Sequence, residues 1–155
     1  MKQTICVLLA VIVAFSLASC GTGNVNQTEN GKQTASAYLD QSGDAVVEVT
    51  VDLSGGWSVE FARGAVYLYD GEITAGKECA AMLVTLDRDV YEDDLAAAMA
   101  DEKHKESASG VYYTMYEDDD AYLTSLNDSA YVLITAGNQA DIEAVVSRFM
   151  LSLAD

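Results

Sequence analysis

The chain has 155 residues, with 25 Asp and Glu against 8 Lys and Arg, a formal charge of -17, three Cys and no Pro. That length fits one domain. The acid excess excludes a nucleic-acid binder, because phosphates are repelled and no basic stripe offsets the repulsion. A hydrophobic fraction of 50% excludes a wholly disordered chain.

The N-terminus reads as an address. Residues 1–4 carry one positive charge, Lys2, and residues 5–18 are almost wholly apolar. As a helix these 14 residues span about 21 Å, short of the ~30 Å hydrocarbon core of a bilayer. A charged start, a short apolar run and small residues at its end predict a signal segment over 1–19. The run closes with Leu17-Ala18-Ser19-Cys20, which resembles the lipobox of bacterial lipoproteins. That resemblance covers only this segment. It implies that a diacylglyceryl group alkylates the Cys20 thiol and that cleavage falls before Cys20. It also implies an extracytoplasmic protein, lipid-anchored at the cell membrane or envelope. Cleavage removes one Lys and no acid, so the mature chain carries a formal charge of -18.

Residues 21–44 are rich in Gly, Asn, Gln, Thr and Ser. So polar a stretch buries too little surface to offset its ordering entropy, so 20–44 is predicted to be a lipidated Cys and a flexible tether. Its r.m.s. span would be about 27 Å.

From residue 45 the pattern changes, and 45–155 is predicted to be a single domain. Val47, Val49, Val51 and Leu53 alternate with Glu48, Thr50 and Asp52, the period of a half-buried strand. Trp57, Val59 and Phe61 alternate in the same way. A third strand over 65–69 ends at Asp70-Gly71, a hairpin-turn dipeptide. Residues 78–87 are apolar enough for a central strand. A helix follows, with Asp89 as N-cap, Glu92 completing a capping box, and an apolar stripe of Val90, Leu95, Ala98 and Met99. Lys103, His104 and Lys105 fall near its end. Strands over 111–117, 121–126 and 130–136, separated by Asp-rich and Asn-Asp-Ser turns, predict a three-strand meander. Ile142, Val145, Val146, Phe149, Met150 and Leu153 lie on one helical face, which predicts a closing helix with Asn138 as N-cap. The expected fold class is α+β: a mostly antiparallel sheet of about six or seven strands with two packed helices.

Gly56-Trp57-Ser58-Val59-Glu60-Phe61, the antiparallel strands and a terminal helix ending Phe149-Met150-Leu151-Ser152-Leu153 give residues 45–155 a resemblance in pattern to the PsbP-like family. The resemblance implies an α/β/α sandwich and a non-enzymatic assembly or docking role. Ala62 stands where that family often carries Pro.

Chemistry-bearing residues are few. His104 is the only His and sits among charges, and no Gly-x-Ser-x-Gly elbow is present. Cys79 is the one thiol left after cleavage and lipidation, and its strand context predicts a small apolar residue. Glu117-Asp118-Asp119-Asp120 lacks the spacing of a calcium loop. No metal or other cofactor is implied. The aromatics carry the one binding expectation: Tyr67 with Tyr69 and Tyr112 with Tyr116 each share a strand face, Tyr122 and Tyr131 lie on the next two strands, and Trp57 leads another. If register aligns them, the sheet carries an aromatic platform for a protein or glycan partner; otherwise they half-bury against a helix. The expected function is a non-catalytic binding or assembly domain on a lipid anchor. The alternative is a cell-envelope enzyme acting on glycan or peptidoglycan through paired carboxylates.

Overall fold

The computed structural model describes residues 24–29, 32–40, 45–115, 119–137 and 140–154. The signal segment, Cys20, Tyr116 and Asn138 lie outside them. In chain order the elements are β1 (Asn24–Glu29), β2 (Lys32–Asp40), β3 (Val46–Asp52), β4 (Ser58–Ala62), β5 (Ala65–Tyr69) and β6 (Ala81–Leu86). There follow α1 (Arg88–Ala100), β7 (Lys105–Glu106), β8 (Gly110–Thr114), β9 (Asp120–Leu126), β10 (Ala130–Ala136), α2 (Ile142–Val146) and β11 (Phe149–Leu153). They make an α+β fold of two antiparallel sheets, ordered β1-β2-β3-β11 and β4-β5-β6-β10-β9-β8-β7, with two helices.

Sheet pairing starts earlier than the composition of the N-terminal stretch predicts. β2 pairs with β1 on one side and with β3 on the other. Much of the expected tether is therefore a hairpin on the smaller sheet, and residue 45 is not where the fold begins. The cause is a period-2 pattern written in small side chains. Ala35, Ala37 and Leu39 are buried, while Tyr38 between them is 44% exposed. Alanines add little to hydropathy yet fill a sheet face next to β3, whose Val47, Val49 and Val51 have no exposed surface.

The C-terminal end differs too. The expected long helix stops at Val146, and residues 149–153 form a strand that pairs Phe149 with Val51, Leu151 with Val49 and Leu153 with Val47. Phe149 and Leu153 satisfy period 2 as well as the helical spacing, and Leu151 satisfies period 2 alone. The open edge of β3 supplies hydrogen-bond partners that a continued helix would leave unused. Asp141, not Asn138, caps α2: its carboxylate accepts from the Glu143 and Ala144 amides at 3.0 and 3.4 Å.

The expected strands over 57–62 and 65–69 appear as β4 and β5, joined at Arg63-Gly64. Both turn residues have positive φ, 54° and 74°, the twist a two-residue hairpin needs. The meander appears as β8-β9-β10. The Asp70-Gly71 turn instead opens a longer loop before β6, with Lys77 Nζ donating to the Asp70 and Glu72 carbonyls.

Helix α1 starts after Asp87 rather than Asp89 and ends at Ala100, so His104 and Lys105 lie beyond it. Lys105 instead belongs to the short edge strand β7. The buried stripe of α1 runs through Tyr91, Leu95 and Ala98, whereas Val90 and Met99 are 47% and 45% exposed. It packs on Tyr113, Leu123 and Leu133 of the larger sheet. The other face of that sheet shares a core with the smaller one: Val66, Leu68, Leu83, Val132 and Ile134 meet Val47, Val49 and Val51. The layers are thus sheet, sheet, helix, which differs from the α/β/α order implied by the PsbP-like resemblance.

Leu39→Ala should lower the unfolding free energy by about 2–5 kcal/mol in chemical denaturation, as for a core leucine. A loss below ~0.5 kcal/mol, typical of surface sites, would return this stretch to a solvated tether.

Candidate functional site

Directly opposed residues in antiparallel strands point to the same face, so register decides whether the aromatics form one platform. Tyr67 pairs with Met82, Met82 with Thr135, Thr135 with Ala121 and Ala121 with Tyr113. Tyr112 pairs with Tyr122, Tyr122 with Ile134, Ile134 with Leu83 and Leu83 with Val66. Tyr112 and Tyr113 are neighbours and point oppositely. Tyr67 and Tyr69 therefore lie on the α1 side, while Tyr112 faces the inter-sheet core. The single platform is not formed; its conditional premise fails at this register.

Each aromatic has a local explanation. Tyr112 stacks obliquely on Tyr122, with centroids 4.6 Å apart, and Lys105 Nζ lies 5.9 Å from its ring centroid. The Tyr122 hydroxyl hydrogen-bonds the Ser109 hydroxyl at 2.8 Å. Gly110 makes that packing possible: a Cβ there would fall 2.3 Å from the Leu123 carbonyl oxygen and 2.7 Å from Tyr122 Cζ. Tyr69 is 9% exposed, and its hydroxyl donates to Glu60 Oε2 at 3.3 Å. Burial first, and the Glu60 carboxylate second, raise its pKa. Tyr67 is half-buried opposite Glu60.

Trp57 packs against the inter-sheet core, and the Arg148 guanidinium sits 4.3 Å from its ring centroid. Arg148 Nη1 also donates to the Asp52 and Ser54 carbonyls at 3.1 and 3.0 Å. This clip ties the turn after β3 to the start of β11. Sequence reading singled out Trp57 but not Arg148; the available signal was a lone cation inside an otherwise apolar C-terminal run.

A second aromatic group joins Tyr131, named with the expected platform, to Tyr91 and Arg88, which the sequence does not single out. Tyr91 stacks on Tyr131 with centroids 4.5 Å apart. Arg88 Nε donates to the Tyr131 hydroxyl at 2.8 Å, and that hydroxyl donates to the Asp128 carbonyl at 3.0 Å. The group joins the start of α1 to the β9–β10 turn, where Asn127 and Asp128 both have positive φ.

Among the described residues, His104 meets a backbone carbonyl and a carboxylate rather than a hydroxyl or thiol. His104 Nδ1 lies 2.7 Å from the Asp101 carbonyl, and Nε2 lies 3.8 Å from Glu106. The Lys103 and Thr114 amides hold the Asp101 carboxyl below its ordinary pKa. Burial pushes the half-buried Cys79 thiol up, which reduces its reactive thiolate. Glu117 and Asp118 lie outside the described residues. Among the described residues, no group of three or more His, Cys, Asp or Glu is placed to hold a metal. A shallow depression of about 430 Å³ opens between Ala45, Val46, Ser129, Leu153 and Ala154, and none of these offers a carboxylate side chain.

Comparison with protein-family models, with curated proteins and with solved structures returned no match.

The aromatic faces can be tested separately. Tyr112→Ala removes core packing and should cost about 3 kcal/mol, whereas Tyr67→Ala should cost about 1 kcal/mol. The reverse order in denaturation would contradict the register. Tyr113 offers a pH test. It is 7% exposed, its hydroxyl has no hydrogen-bond partner among the described residues, and burial with the nearby Asp94 carboxylate pushes its pKa up to about 12. Unfolding returns it to the ordinary value of 10.0. Between those pH values the unfolded chain releases a proton that the folded chain keeps, so stability falls as pH rises. Tyr113→Phe should flatten that part of the decline and leave stability at pH 7 equal or higher by about 1–3 kcal/mol. An unchanged alkaline slope, or a large loss at pH 7, would place the hydroxyl in a bond.

Proposed function

We propose that the chain is a bacterial lipoprotein: an extracytoplasmic binding or assembly module held at the membrane by a lipid on Cys20, without catalysis of its own. The observation that carries this reading is Leu17-Ala18-Ser19-Cys20 at the end of a short apolar run. The thiol is the one side chain there that can form a thioether, and the small residues before it fit a peptidase cleft. Two acyl chains, at ~0.8 kcal/mol per buried CH₂, give stable anchoring.

A binding role is favoured over hydrolysis by what the titratable groups already do. His104 is engaged at the chain reversal after α1, Glu60 accepts from Tyr69, and Glu143 pairs with Lys105 at 2.5 Å. The partner is a protein or a glycan met outside the cytoplasm.

Cys20→Ala should move the protein from the membrane pellet to the soluble fraction and abolish metabolic labelling with a radiolabelled fatty acid. Unchanged membrane association and labelling would overturn the anchor.

A further inference from the structure

The sheet pairing of residues 24–40 changes what a lipid on Cys20 would do. β1 begins at Asn24, four residues after Cys20. Whatever path those residues take, a chain spans no more than ~3.3–3.6 Å per residue, so the leash from Cys20 to the sheet is at most about 14 Å. The ~27 Å span of an unstructured tether is not available once β1 is paired.

Among the described residues, β1 is an edge strand. The side of the fold it marks follows from the stacking. Thr85 of β6 donates its hydroxyl to the Asp40 carbonyl of β2 at 3.2 Å, and β11 contacts β9. In the order β1-β2-β3-β11 over β4-β5-β6-β10-β9-β8-β7, β1 therefore projects toward the β4 side, and β7 lies at the opposite edge. Six strand intervals of ~4.8 Å separate β4 from β7 by about 29 Å.

Charge is distributed to match. Residues 21–40 contain two acids, Glu29 and Asp40, and one base, Lys32, a formal charge of -1, and residues 41–155 carry the remaining -17 of the mature chain. An acidic body is repelled by an anionic bilayer over a Debye length of ~8 Å. The hairpin, with a formal charge of only -1, meets such a surface at little cost, and it is the part tied to the lipid.

We propose that the β1 edge of the smaller sheet is a bilayer-facing surface: the short leash holds the weakly charged β1–β2 hairpin against the headgroups and turns the β7 edge toward solvent. This rests on the lipoprotein reading. The domain is an oriented display rather than a swinging one, and the partner approaches from the β7 side.

The test uses the mature lipidated protein with Cys79→Ser and one new thiol, Thr28→Cys on β1 or Glu102→Cys near β7, labelled with a fluorophore. Vesicles of phosphatidylcholine and phosphatidylglycerol carry a nitroxide on a fraction of their headgroups. Flotation reports the anchor; quenching reports orientation. The proposal expects co-flotation, strong quenching at 28 and none above the nitroxide-free baseline at 102. Co-flotation with equal quenching at the two positions overturns the orientation and leaves the anchor standing. Failure to float overturns the anchor and the orientation together. Inserting about 20 Gly and Ser residues after Gly21, an added r.m.s. span of ~25 Å, should abolish quenching at 28 without affecting flotation. Quenching that survives the insertion removes the leash as its cause.

Discussion

Strand β3 sets the terms for everything around it. Val47, Val49 and Val51 are fully withdrawn from water, which places the strand in the middle of a sheet face. A strand so placed has amides and carbonyls on both edges that need partners. The chain meets that demand from its two ends. β2 arrives from the N-terminal side and β11 from the C-terminal side, each antiparallel. The hydrogen-bonding demand of β3 therefore explains both departures from the helical or flexible behaviour that local composition favours.

The legible parts of the fold were those where periodicity had no competitor. Alternation in 46–52 and 58–62 has no helical reading, and each became a strand. The Asn127-Asp128 turn was legible because both residues accept left-handed backbone at modest cost. The illegible parts had weak or double signals. Ala35 and Ala37 carry too little hydropathy to reveal a buried face. Phe149 and Leu153 fit two periods, and only the position of β3 decides between them. In α1 the shift of the stripe from Val90 to Tyr91 depends on Tyr131 offering a ring to stack on.

The candidate site was legible as a set of residue types but not as an arrangement. Tyr67 and Tyr112 look equivalent in sequence because each sits within an expected strand. Their faces differ by one residue of register, carried through β6, β10 and β9. No strand-by-strand reading fixes that parity. Arg88 and Arg148 take their roles from tertiary contacts that no local pattern encodes. Each is held by carbonyl or hydroxyl oxygens and an aromatic ring, and each ties a loop to the fold.

The most direct measurement is amide hydrogen exchange, followed by mass spectrometry on peptides covering 33–39 and 149–153. If β2 and β11 complete the sheet around β3, the amides of β2 and those amides of β11 that face β3 exchange only through openings close to global unfolding, as slowly as those of β10. Exchange of 33–39 at the rate of an unstructured peptide, with 149–153 protected or not, would contradict the account.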